Sequence, residues 1–232
     1  MDHDDDPLPD WVSERHAEFR HMLSGAEQPF PCYFATIAEV HEHLRYSYVT
    51  QTEINHPVAL SSALTLYLAE HPTIEGRSAL VVFVSTEDAP DYEATFWTLL
   101  RSLHLIDPKP WPYTIPLEPD DPRWTFCFAG VPIFIAGHAP CYHKRKSRYS
   151  ASGLLLVIQP RSNLNGIVGH GITAARVRER IRGALKHYDL IEPSSDLGIY
   201  GDPNVREWRQ YWLSDTNDVR RDKCPLTLAV KS

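Results

Sequence analysis

Nowhere does an apolar run approach the roughly 20 residues that a membrane-spanning helix needs. The best, Ala79 to Val84, has the length of a strand, so no membrane partner is expected. The stock catalytic patterns are missing too. There is no Gly-x-Gly-x-x-Gly, no Walker-type loop, no Gly-x-Ser-x-Gly and no His-Glu-x-x-His. Cysteines are few and scattered: Cys32, Cys127, Cys141 and Cys224 form no Cys-x-x-Cys pair, which points to reduced thiols rather than a disulfide framework. The opening Met1-Asp2-His3-Asp4-Asp5-Asp6 lacks the basic and apolar regions of a signal peptide. A disordered acidic tail over residues 1–10 and a cytoplasmic location are therefore expected. Positive charge is also short. A formal charge of −7 argues against generic binding to nucleic acid or anionic membranes.

What remains suffices for one core. At 232 residues, with 43% hydrophobic and 11% aromatic content, the chain is long and apolar enough to fold, and residues 11–232 read as a single domain. Nineteen prolines against eleven glycines predict many stiff connections. Helical spacing marks Trp11 to Leu23, the stretch holding Phe34, Ile37 and Ala38, Val58 to Leu68, and above all Asp91 to His104. Thr173 to Tyr188 is a further helix, with Val177, Ile181, Ala184, Leu185 and Tyr188 expected inward. Asp202 or Pro203 opens a short last helix through Tyr211. Strands are expected at Arg45 to Gln51, Ser78 to Ser85, Trp124 to Ala129, Val131 to Gly137 and Gly153 to Gln159. Neighbouring strands with helices at both ends predict an α+β fold, a largely antiparallel sheet with helices packed on it.

Twelve histidines invite a metal reading. In the densest group, His41-Glu42-His43, helical spacing sends the two imidazoles to different faces, so a solvated surface is expected. The segment from His138 to Arg148 differs in its position, because it begins where an apolar strand ends and a side chain faces a cleft. A histidine there suits a haem iron or another metal. Lys144, Arg145, Lys146 and Arg148 suit carboxylates or phosphates, haem propionates included. A solvated basic loop is the competing reading. Cys141 reads as an inert thiol or an iron thiolate, and only weakly as a nucleophile, because the sequence shows no paired base.

Several blocks recur in a recognisable order. They are Phe30-Pro31-Cys32, Phe96-Trp97 with Leu100 and Leu103, Asp107 with Trp111-Pro112, and Trp124 through Gly130. Arg145-Lys146-Ser147-Arg148, Gln159-Pro160-Arg161, Ile181-Arg182 with Tyr188-Asp189, Leu197 through Asp202, Glu207 through Tyr211 and Cys224-Pro225 follow. From about residue 30 to 226 this resembles the YqcI/YcgG family. The better understood relatives of that family are haem-dependent N-hydroxylases of guanidino compounds.

The resemblance implies haem b and a small substrate with a guanidino or amine group, served by an unassigned electron donor. It implies His138 as iron ligand, with His143 and Cys141 open as alternatives. Arg145, Arg148 and Arg161 would hold propionates, and Phe30, Trp111 and Trp124 would wall the macrocycle. Glu207, Gln210 and Asp107 would meet the substrate. Two other readings stand beside it: a non-catalytic haem carrier or sensor, and an iron-free phosphate- or nucleotide-binding protein using the basic loop at 143–148. A homodimer is the base-rate expectation for assembly.

Overall fold

The computed structural model describes residues 8–25, 28–86, 91–165, 171–218 and 222–226. Most of the expected acidic tail lies outside the described residues, and the first helix, α1, begins at Asp10 and runs to Arg20. It is followed by α2 (Tyr33–Val40), β1 (Leu44–Val49), α3 (Val58–Glu70), β2 (Ala79–Val84) and α4 (Tyr92–Leu105). The hairpin strands β3 (Cys127–Phe128) and β4 (Val131–His138), then β5 (Leu154–Pro160), α5 (Ile172–Tyr188) and α6 (Glu207–Tyr211), complete the order. The fold is α+β, as expected. Its five strands lie in the order β1-β2-β5-β4-β3, all antiparallel except β1 and β2, which run parallel. The parallel pair is joined through α3, the crossover that parallel neighbours require.

Alternation along the strands separates two faces. Leu80, Val82 and Val84 of β2, Leu154, Leu156 and Ile158 of β5, and Ile133 and Ile135 of β4 point into the larger core, which α3 and α4 cover with Leu60, Leu64, Phe96, Leu99 and Leu100. Ala79, Val81, Phe83 and Leu155 point the other way, into a smaller core closed by Val12 and Phe19 of α1 and Ala38 of α2. The Asp91 carboxylate accepts the Ala94 N–H at 2.8 Å and starts α4, which buries Phe96, Leu99, Leu100 and Leu103.

Two elements fall short of their expected lengths. The β3–β4 hairpin turns through Ala129 and Gly130, both at positive φ, the twist that a two-residue turn needs. The strand before it covers Cys127–Phe128 only, rather than starting at Trp124. The Tyr211 hydroxyl enters the ladder there, accepting the Phe126 N–H at 3.0 Å and lying 3.1 Å from the Ile133 carbonyl. The last helix starts at Glu207, because Asp202 instead receives the Asn204 N–H at 2.9 Å and shapes a turn. His41 and His43 also lie beyond the end of α2, stacked at 5.6 Å around Glu42 at φ 57°, so they occupy a turn and not a helix.

Candidate functional site

On the smaller-core face the sheet and its covering helices part to leave a cavity of about 230 Å³. Its floor is the sheet: Phe134, Ala136 and His138 from β4, Val157 and Gln159 from β5, Ala79 and Val81 from β2. Its roof comes from Phe19 of α1 and from Phe30, Cys32, Phe34 and Ala38 at and before α2. Ile181 and Leu185 of α5 form one side. On α5 only Ala174 is buried and the expected inward stripe is half-buried, Ile181 and Leu185 because they border this open space.

His138, the last residue of β4, is 6% exposed. Burial, with the Arg148 guanidinium nearby as a smaller cause, holds its pKa well below the ordinary imidazole value, so the ring is neutral. Its Nδ1 is buried without a hydrogen-bond partner. A buried polar atom left in that state costs free energy that a ligand would recover.

The basic loop that follows folds inward. Arg145 and Arg148 are 1% and 8% exposed, while Lys144 and Lys146 face solvent. Arg148 donates to the carbonyls of Gly137, Tyr211 and Gln210 at 3.2, 3.3 and 3.0 Å. Arg145 donates from Nε to the Ser214 carbonyl and from Nη2 to Asn217 Oδ1, with Nη1 4.0 Å from Asp189. The backbone is pinned as well. Asp215 accepts the N–H groups of His143, Lys144 and Arg145, and Asp189 accepts both the N–H and the hydroxyl of Ser147. Burial raises the Asp189 pKa, although Ser147 and the two arginines pull it down. The amides and guanidiniums that would cradle a phosphate are thus already engaged by the protein.

Three cations line the cavity, Arg77, Arg145 and Arg148, against the single carboxylate of Asp189. The cavity wall therefore carries two positive charges in excess inside an acidic protein. Arg77 donates from Nε to the Asn163 carbonyl at 2.8 Å, and its guanidinium lies 3.8 Å above the Phe34 ring.

The other residues singled out in the sequence distribute as follows. Phe30 lines the cavity. Trp111 and Trp124 do not: they stack at 6.2 Å on the opposite face of the sheet, Trp124 within the larger core and Trp111 packed against it. His143 is exposed, and Cys141 lies in a separate surface hollow with Glu93, Tyr142 and Asp215. Of the three ligand candidates, only His138 reaches the cavity. Asp107 accepts the N–H groups of Ala129 and Lys109, which holds the hairpin turn. Glu207 lies buried behind the floor, where Thr125 donates to it at 2.6 Å and Arg161 stands 3.4 Å away, stacked on Tyr200. Burial pushes the Glu207 pKa up to about 7 against the pull of Arg161. Gln210 is buried and contributes its carbonyl to Arg148.

Cys32, Arg77 and Gln159 also line the cavity, although no site chemistry in the sequence singles them out. Cys32 is exposed by area, yet dense surrounding protein raises its pKa, which fits a thiol facing an interior space. Its place in the Phe30-Pro31-Cys32 block was the available signal. Arg77 carried none, being a single cation before a buried strand.

The chain belongs to the YqcI/YcgG family, which it matches over residues 19–227. It is 31% identical to a Streptomyces lavendulae protein provisionally named N(omega)-hydroxy-L-arginine synthase DcsA, over 96% of this chain and 86% of that one. Two proteins of Bacillus subtilis strain 168, YqcI and YcgG, both named as uncharacterised, are 33% and 32% identical. The matches cover 94% and 95% of this chain and 89% of each relative. No solved structure matches the chain. Among the described residues no helix is long and apolar enough to cross a membrane.

Proposed function

We propose that this protein is a haem-dependent oxidoreductase that N-hydroxylates a small guanidino or amino compound of arginine-like form. The observation that carries the reading is His138, a neutral and buried imidazole with an unpartnered ring nitrogen, on the wall of an apolar cavity with excess positive charge. Among the described residues no three His, Cys, Asp or Glu side chains come together to hold a metal ion. A lone imidazole is a poor cage for a bare ion, but it suits an iron whose other positions a macrocycle already fills. The two excess positive charges suit a ligand with two carboxylates, as haem b has. The relative named as an N-hydroxyarginine synthase supplies the reaction class.

Bound in this cavity, haem would supply oxygen activation for transfer of one oxygen atom to an N–H bond. The remaining work falls to the chain. His138 would ligate iron, with Cys32 as the other soft donor on the wall. Phe19, Phe30 and Phe34 would exclude water, and the excess positive charge of the lining would favour carboxylates.

The test is an absorption spectrum followed by a turnover assay. Purified protein should take up one hemin per chain with a Soret band, and His138→Ala should weaken uptake and move the band. A band typical of thiolate, sensitive to Cys32→Ala, would transfer the ligand role to Cys32. With a reductase or peroxide, arginine or a related compound should gain one oxygen. Haem uptake without any such turnover would reduce the protein to a carrier or sensor, and failure to take up hemin would overturn the reading.

A further inference from the structure

We infer that Arg77 is the group in this cavity that binds a ligand carboxylate. The inference rests on reading the cavity as the ligand site, and it assigns the anion anchor to a residue outside the basic loop.

The three lining arginines are not equivalent. Arg145 and Arg148 direct their guanidinium nitrogens to Ser214, Asn217 and Asp189, and to three backbone carbonyls. Among the described residues Arg77 makes one such bond, from Nε to the Asn163 carbonyl, and its terminal nitrogens donate to none of them. Its face is held by the Phe34 ring at 3.8 Å. An arginine fixed through Nε and one face keeps its terminal fork free, which is the geometry for accepting a carboxylate. The group that fixes it is itself anchored, since the buried Asn163 side chain donates to the Ser78 carbonyl at 2.6 Å.

Leu155 pairs with both His138 and Phe83, which places the imidazole in the row of Phe83. Arg77 lies six residues earlier on the chain that becomes β2, about 20 Å if extended, and its long side chain reaches back toward the cavity. The register thus sets the two residues toward opposite ends of the floor. A ligand engaging both carries its carboxylate well away from its donor-binding centre. That favours a carboxylate on the rim of a macrocycle. The same chemistry could come from the carboxylate of an amino-acid substrate.

Four titrations separate the sources. Hemin and iron-free protoporphyrin IX are titrated into the wild type, Arg77→Met, Arg77→Lys and His138→Ala, and L-arginine or agmatine, its analogue without the carboxylate, into the hemin-loaded forms. If the cofactor supplies the carboxylate, Arg77→Met weakens hemin and protoporphyrin alike by about 10- to 100-fold, the size of one charge-assisted hydrogen bond. Arg77→Lys should fall between. His138→Ala should weaken hemin and spare protoporphyrin. If the substrate supplies it, porphyrin affinity is unchanged and Arg77→Met abolishes the preference for arginine over agmatine. Affinities for all four ligands within twofold of wild type in Arg77→Met overturn the inference. A wild type that takes up neither porphyrin overturns the functional reading itself, a result distinguishable from the previous one. Thermal melting guards against misfolding, and few losses are expected because Arg77 makes one hydrogen bond among the described residues.

Discussion

Arg148 donates to the backbone carbonyl of Gln210 at 3.0 Å, across 62 residues of sequence, and so fastens the basic loop to α6 from the inside. The same guanidinium reaches the Gly137 and Tyr211 carbonyls, so one side chain ties together the end of β4, the loop and the last helix. Replacing it with methionine would leave these carbonyls without that donor. Arg148→Met should cost about 2–4 kcal/mol in urea denaturation, whereas the solvent-facing Lys146→Ala should stay within about 0.5 kcal/mol. Equal effects would return the loop to a solvated charge run.

Glu207 sets a pH dependence of stability. Its folded pKa of about 7 stands above the ordinary 4.5, so between those values the folded chain holds a proton that the unfolded chain has released. The contribution is fully present below about pH 4.5 and is lost as pH rises through about 7, a change of about 3 kcal/mol. Glu207→Gln removes the titration. Denaturation at pH 5 and pH 8 should show the variant gaining on the wild type by that order toward the higher pH, and parallel curves would refute the assignment.

Asp215 accepts three consecutive backbone N–H groups, at 3.0 Å from His143 and Lys144 and 2.8 Å from Arg145. Asp215→Ala should destabilise by about 1–3 kcal/mol. It should also raise amide exchange at those three positions before the rest of the sheet responds.

Gly137 lies where Trp212 crosses β4. A Cβ at this position would stand 2.6 Å from Trp212 Cε3 and 3.1 Å from Phe96 Cδ2. Both rings belong to the larger core, so neither can swing into solvent. Gly137→Ala should therefore cost about 1–3 kcal/mol, with a shifted tryptophan emission as the local signature.

Sequence pattern marked the elements that report their own burial. The α4 stripe, the valine run of β2 and the hairpin around Gly130 all appear close to where periodicity and turn chemistry put them. The site was legible only in part. His138 was visible as a histidine ending an apolar strand, but the inward turn of Arg145 and Arg148 depends on carbonyls 62–69 residues away, which no local pattern encodes. Trp111 and Trp124 carried the composition of a cofactor wall, yet they stack on each other and pack with Phe126 in the larger core, across the sheet from the cavity. The truncated β3 has the same kind of cause, for Tyr211 enters its ladder from 85 residues downstream.

The α5 helix is secured at its C-terminal end, where Asp189 holds Ser147 and the Leu190 N–H meets the Lys144 carbonyl at 2.7 Å. Along its length it offers Ile181 and Leu185 to the cavity. A molecule seated there would bury surface that the chain alone leaves half-covered, and would serve thermodynamically as a detachable piece of hydrophobic interior. Affinity and folding stability then become one linked quantity, rising together with ligand concentration. The melting temperature of this protein becomes, in effect, a binding assay.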